Sequence, residues 1–333
     1  MGAARRATAT QAFARLSALY NQHRESERHR ERDSEQRPGH HSEQARQSEH
    51  DQQSGQGRQS GQGRQARQSG RGRQARQSGH DPQGRQAGQS GHDPQGRQRT
   101  LRTPTGIYRI EDTFASGDLA DLYATDTDAL LKIPRDPADS DLMQTEADAL
   151  RRLRTDGDPR FRAYAPKLLE TFTHEDREHR RRTINVIKHQ RGMRPLNETE
   201  TLSDSIWIWR KLLVALGWAH RAGVVHGAIL EPHILIHPEH RGLVLIDWCY
   251  SGHRPKAIVK AREIAYPPEV LTDRIATEAT DIYMATGLMV RLLNDDMPAR
   301  LRRFAAGCMY QAPRMRPQDA WALLAELDEI IGI

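Results

Sequence analysis

Between Val224 and Ser251 the chain reads V-V-H-G-A-I-L-E-P-H-I-L-I-H-P-E-H-R-G-L-V-L-I-D-W-C-Y-S, and the side chains best suited to chemistry are concentrated there. His226, Glu231 and His233 fall in a polar loop. Two short apolar runs, 234–236 and 243–246, follow it, separated by a Pro/Gly turn and closed by Asp247. This pattern predicts a loop, a hairpin and an acidic residue at the mouth of the second strand. A carboxylate so placed, just after a His-bearing loop, is how phosphoryl-transfer enzymes hold Mg²⁺ near a nucleophile. Upstream, Lys132 lies in the apolar run A-L-L-K-I-P. Glu146 lies in D-L-M-Q-T-E-A-D-A-L-R-R-L, where helical periodicity puts it on one face with Leu142 and Leu150. A carboxylate on an apolar helical face is costly unless paired, and Lys132 is the expected partner.

These residues need a core to position them, and composition divides the chain sharply. Residues 24–100 contain almost no aliphatic or aromatic side chain and consist largely of Gln, Gly, Ser, Arg and His. Such a segment cannot bury enough apolar surface to offset the entropy of ordering it. Q-S-G-Q-G-R begins at Gln53 and again at Gln59, and Q-S-G-H-D-P-Q-G-R at Gln77 and Gln89. The period is too short and too polar for a solenoid, so a flexible tether is expected. Residues 1–103 are accordingly expected to be a disordered basic region, with one short helix over 9–23 carried by Phe13, Leu16 and Tyr20. Residues 104–333 hold nearly all the apolar content and suffice for one core.

Two cysteines are too few for a disulfide framework, which points to a reducing, cytoplasmic setting. No apolar run approaches the ~20 residues that cross a bilayer, so no membrane partner is expected. The net charge is +6, and only six of the 50 basic residues are Lys. Acidic residues are interspersed throughout, which argues against a nucleic-acid partner and leaves an unidentified protein as the expected one.

In chain order, strands are predicted at 108–110, 129–134, 168–172 and 183–187. Helices are predicted over 141–153, over 204–221 with Trp207, Leu212, Leu216 and Ala219 inward, and over 317–330 with Trp321, Leu324 and Leu327 inward. The first strands flank F-A-S-G-D-L-A-D-L-Y, a turn in which Gly117 would let backbone N–H groups approach an anion.

The order and spacing of these segments resemble the protein kinase superfamily over residues 106–333. His226-Gly227-Ala228 with His233 stands where that family has H-R-D-L-x-x-x-N, and Asp247-Trp248-Cys249 where it has D-F-G. Tyr266-Pro267-Pro268-Glu269 stands for A-P-E, Asp281-Ile282-Tyr283 for D-x-W, and Arg316-Pro317 for the late R-P. The resemblance implies an α+β, two-lobed kinase-like fold in which Gly117, Lys132, Glu146 and Asp247 face ATP. It implies that Asp247 and His233 face Mg²⁺ or Mn²⁺, that Glu269 pairs with Arg316, and that Asp281 caps the loop. It also implies a defect, because Ala228 stands at the catalytic Asp position and Leu230 at that of the lysine that touches the γ-phosphate. Only Glu231 or His226 could substitute as a base. H-G-A and I-D-W are also similar to aminoglycoside and choline phosphotransferases.

The expected function is that of a pseudokinase, a regulatory or scaffolding module with weak or no ATP binding. The alternatives are an unusual active ATP-dependent serine/threonine protein kinase or small-molecule phosphotransferase, and a nucleic-acid-associated adaptor acting through the Arg-rich tail.

Overall fold

The computed structural model describes residues 99–196, 201–237 and 239–333. The expected helix over 9–23 and the repeats lie outside the described residues. Among those described, the architecture is α+β, a curled antiparallel sheet followed by a mainly helical remainder.

The sheet has six strands, β1 (Arg99–Arg102), β2 (Ile107–Ser116), β3 (Ala120–Thr125), β4 (Ala129–Pro134), β5 (Leu168–Glu175) and β6 (Arg181–Lys188), in the order β1-β2-β3-β4-β6-β5. β1 lies on the N-terminal side of the boundary expected at 104 and belongs to the sheet, because Leu101 is a buried member of the sheet's own apolar cluster. The two edges of the sheet meet. Glu170 on β5 accepts from the hydroxyls of Thr103 (2.9 Å) and Thr105 (2.5 Å) in the β1–β2 turn. Burying that carboxylate is tolerable only because these donors satisfy it.

Helix α1 (Ser140–Thr155) lies between β4 and β5 in the chain and buries Leu142, Met143, Glu146, Ala147, Ala149, Leu150 and Leu153. Two-residue β7 (Arg194–Pro195) leads to α2 (Leu202–Arg221), whose start is capped by the Thr201 hydroxyl accepting from Asp204 N at 3.1 Å. Ile208, Trp209, Leu212 and Leu216 form the inward face of α2. Trp207, expected inward, is only half buried and lies under the Arg241 guanidinium at 4.7 Å. β8 (Ile234–His237) pairs with β7 on one side and β9 (Gly242–Leu245) on the other in a small second sheet.

α3 (Pro268–Asp273), α4 (Glu278–Leu293), α5 (Ala299–Cys308) and α6 (Ala320–Ile331) complete the chain. α4 is buried on every side over most of its length, as an all-round apolar helix at the centre of a core must be. α6 starts at Ala320 rather than 317, because the Asp319 carboxylate caps Trp321 N and Ala322 N. It buries Leu323 and Leu327 and leaves Trp321 and Leu324 half exposed, which rotates the face predicted from the sequence by about one residue.

Candidate functional site

A cleft of about 410 Å³ opens between the sheet and the β8–β9 hairpin. Its walls are mainly apolar, including Phe114, Leu119, Leu130, Ile187, Met193 and Tyr250, and its polar inner end holds Lys132, Glu146, His233 and Asp247. The volume and the mixture of apolar wall and few polar groups are those of a small-molecule site.

Lys132 is placed by the antiparallel register of β3 and β4, where it pairs with Leu122. It is nearly inaccessible, and its Nζ donates to Glu146 Oε1 at 2.7 Å and to Asp247 Oδ1 at 2.5 Å. The second oxygen of Glu146 accepts from Asn185 Nδ2 at 2.9 Å, so a buried chain of donors and acceptors runs from β6 through α1 to β4. Burial acts against the Lys132 ammonium, but the neighbouring Asp247 and Glu146 charges dominate and hold its pKa well above the ordinary value. Burial likewise raises Asp247, yet the Lys132 and His233 charges bring it down to about 2. Asp247 sits in the left-handed region, φ 61° and ψ 46°, a conformation that a non-glycine residue keeps only where its surroundings impose it.

The loop before β8 is pinned from below. Asp281 on α4 accepts from His226 N and Gly227 N, both at 2.8 Å, and from His220 Nε2 at 2.9 Å. Gly227 has φ 77°, and a Cβ there would stand 2.7 Å from the Tyr250 carbonyl oxygen, so the chain can pass this point only as glycine. Ala228 is fully buried.

Neither residue suggested as a replacement base is placed for that work. His226 is fully buried, donates from Nε2 to the Ile246 carbonyl at 2.9 Å and accepts at Nδ1 from Ala228 N at 3.3 Å. Both ring nitrogens are engaged, and burial lowers its pKa to about 4, so the ring is a neutral structural element. Glu231 receives two hydrogen bonds from Arg291 on α4, at 2.8 and 3.1 Å. Burial opposes its charge, but Arg291 prevails and its pKa is lowered, leaving a carboxylate bound to a guanidinium.

Gly117 lines the cleft, but its N–H donates to the Ala120 carbonyl at 2.9 Å within the β2–β3 turn and is not available to a ligand. The same turn is gripped by Arg135, whose guanidinium donates to the Gly117 carbonyl at 2.7 Å, to the Asp118 carbonyl and to the Asp121 side chain at 2.9 Å.

The residues expected to hold a metal do not fit one. Asp247 Oδ1 is engaged by Lys132. His233 donates from Nδ1 to the Ala228 carbonyl at 2.8 Å, and its Nε2 lies 3.7 Å from Asp247 Oδ2 and 3.9 Å from Asp118 Oδ2. No third oxygen ligand for a hard cation stands beside them, and among the described residues no group of three or more His, Cys, Asp or Glu could hold a metal ion. Away from the cleft, Glu269 and Arg316 form a bidentate pair at 2.6 and 3.0 Å.

Asp118, Asn185 and Arg135 were not singled out from the sequence. Asn185 had a legible signal, a lone amide inside the apolar run T-I-N-V-I. Asp118 and Arg135 had none, being ordinary charged residues in turn-rich segments. Among the described residues, no helix is long and apolar enough to cross a membrane. No protein-family model matches the chain, and no curated protein resembles it significantly.

Proposed function

We propose that the chain is a pseudokinase: a two-lobed, protein-kinase-like domain that acts as a binding or regulatory module for another protein and transfers phosphate slowly or not at all. The observation that carries this reading is Ala228. It is fully buried and stands, by the resemblance to protein kinases, at the loop position where transfer to a hydroxyl needs a carboxylate to accept the proton. A positioned base is worth ~10² to 10⁴ in rate, and the two neighbouring candidates are bound to Arg291 and to backbone groups. Leu230, buried and apolar, supplies no charge for a γ-phosphate. Nucleotide binding is weak in this reading, since the Gly117 N–H is already bonded and Leu130 fills part of the apolar wall.

A transfer assay with radiolabelled ATP on the full chain and on Asp247→Ala checks the proposal, run beside a thermal-shift titration with ATP in the presence and absence of Mg²⁺ or Mn²⁺. The expected result is no transfer above background and a small shift at most. Transfer to protein or to a small molecule that disappears in Asp247→Ala would establish an unusual active phosphotransferase instead. Salt-sensitive binding of DNA or RNA by the full chain, without any effect of cleft substitutions, would favour the adaptor reading.

A further inference from the structure

Where the segment after α1 packs against α2 and α6, a second cavity of about 250 Å³ shares no lining residue with the cleft. Two aromatic rings form its apolar wall, Phe161 and Trp321, with centroids 5.4 Å apart and planes tilted by 55°. The Arg221 guanidinium, at the end of α2, lies over the Trp321 ring at 5.2 Å.

The polar groups at this cavity are unequally committed. Asp158 accepts from Arg160 Nε at 3.1 Å and from Nη2 at 2.6 Å. Asp156 accepts from the Thr155 hydroxyl at 2.8 Å and stands 3.6 Å from Arg152 Nε. Both carboxylates therefore have their partners. Arg221 is exposed and has no carboxylate partner among the described residues. The indole nitrogens Nε1 of Trp218 and Trp321 are buried and meet no acceptor among the described residues. Buried donors left unpaired are costly and uncommon, so each calls for an explanation. Trp218 is 3% exposed, and a Cβ on residue 157 would stand 2.6 Å from its Nε1. Gly157 also lines the cavity, so the indole N–H stands at the cavity wall with no side chain of residue 157 in front of it.

We propose that this cavity binds a small organic monocarboxylate with a flat apolar body, the body resting on Phe161 and Trp321 and the carboxylate accepting from Arg221 and from the Trp218 indole. The uncommitted polar groups are all donors, which calls for a ligand that accepts. A planar guanidinium fork matches a carboxylate in shape and charge. One uncommitted cation balances one negative charge, whereas a phosphate dianion would bring a second charge near Asp156 and Asp158 with nothing to offset it. The volume lies below the ~300 Å³ at which sites for drug-sized ligands begin, which confines the ligand to a single small ring system. The aromatic wall supplies the contact area that such a ring needs. This assignment stands on the residues of the cavity and does not depend on the pseudokinase reading.

Phenylacetate is the probe. It is titrated into the full chain while the ¹H–¹⁵N signals of the indole N–H groups are followed, with Trp218→Phe and Trp321→Phe used to assign them. Phenylacetate is expected to shift the Trp218 signal and to leave those of Trp209 and Trp248, both fully buried outside this cavity, in place. Phenylacetamide, of the same shape without the charge, is expected to bind about tenfold more weakly, the effect of losing one charge-assisted hydrogen bond. Arg221→Gln replaces an exposed side chain and is expected to lower phenylacetate affinity by about the same factor while leaving phenylacetamide binding unchanged. Asp247→Ala alters the cleft alone and is expected to leave phenylacetate binding as in wild type. A Trp218 signal that stays in place at millimolar phenylacetate would overturn the proposal. So would equal affinity for the acid and the amide, phenylacetate binding that Arg221→Gln leaves intact, or binding that Asp247→Ala removes.

Discussion

Replacing Glu269 by Ala removes the acceptor of a deeply enclosed ion pair away from the cleft. The Arg316 side chain is 0% exposed and the Glu269 side chain 10%. The guanidinium donates to both Glu269 oxygens, to the Tyr310 carbonyl at 2.6 Å and to the Gln311 carbonyl at 2.9 Å, and it lies over the Tyr283 ring at 4.5 Å. Thr280 also donates to Glu269, at 3.0 Å. The alanine variant therefore leaves a buried guanidinium with its charge uncompensated and a buried hydroxyl without its acceptor. Breaking such a pair from one side costs ~3 to 5 kcal/mol. For a domain of roughly 150–250 residues, each kcal/mol moves Tm by ~2 to 4 °C, so Glu269→Ala is expected to melt ~6 to 20 °C below wild type in calorimetry. The double variant Glu269→Leu/Arg316→Met, which leaves no buried charge, is expected to recover part of that loss. A shift of less than about 2 °C for Glu269→Ala would refute the reasoning, because it would mean that water reaches the guanidinium and compensates it.

Two further outcomes follow from the loop before β8. His226 is held neutral by burial with its pKa lowered to about 4, whereas the unfolded ring titrates near its ordinary 6.5. The unfolded state therefore takes up the proton first, and stability falls as pH drops from about 6.5 toward 4 by roughly 3 kcal/mol; the slope of Tm against pH in this window is expected to flatten in His226→Gln, and an unchanged slope would show that other groups cause it. Gly227→Ala places a side chain at φ 77° and 2.7 Å from the Tyr250 carbonyl. Strain of this kind costs ~1 to 3 kcal/mol before the backbone contact is counted, so urea denaturation is expected to show an unfolding free energy lower by at least that amount and a correspondingly lower midpoint, and a midpoint equal to wild type would mean the turn can relax.

The sequence alone determined the frame of the site. Periodicity of 2 and 3.6 placed Lys132 in a strand and Glu146 on the inner face of a helix, and the cost of burying an unpaired carboxylate made each the other's partner before any distance was known. The loop, hairpin and carboxylate of 224–251 were equally legible, as was the alanine at position 228, since these are local patterns of residue type. Only the tertiary structure decided what each polar group is bonded to. Glu231 meets Arg291 from sixty residues away, and Asp118 meets His233 across the cleft. The Gly117 N–H closes its own turn, and β1 begins before the expected boundary because Leu101 has a core to enter. A side chain can be inferred from its neighbours in sequence when burial forces one partner on it. When several accepting and donating groups compete, the winner is set by the closure of distant elements, which residue type and spacing do not encode.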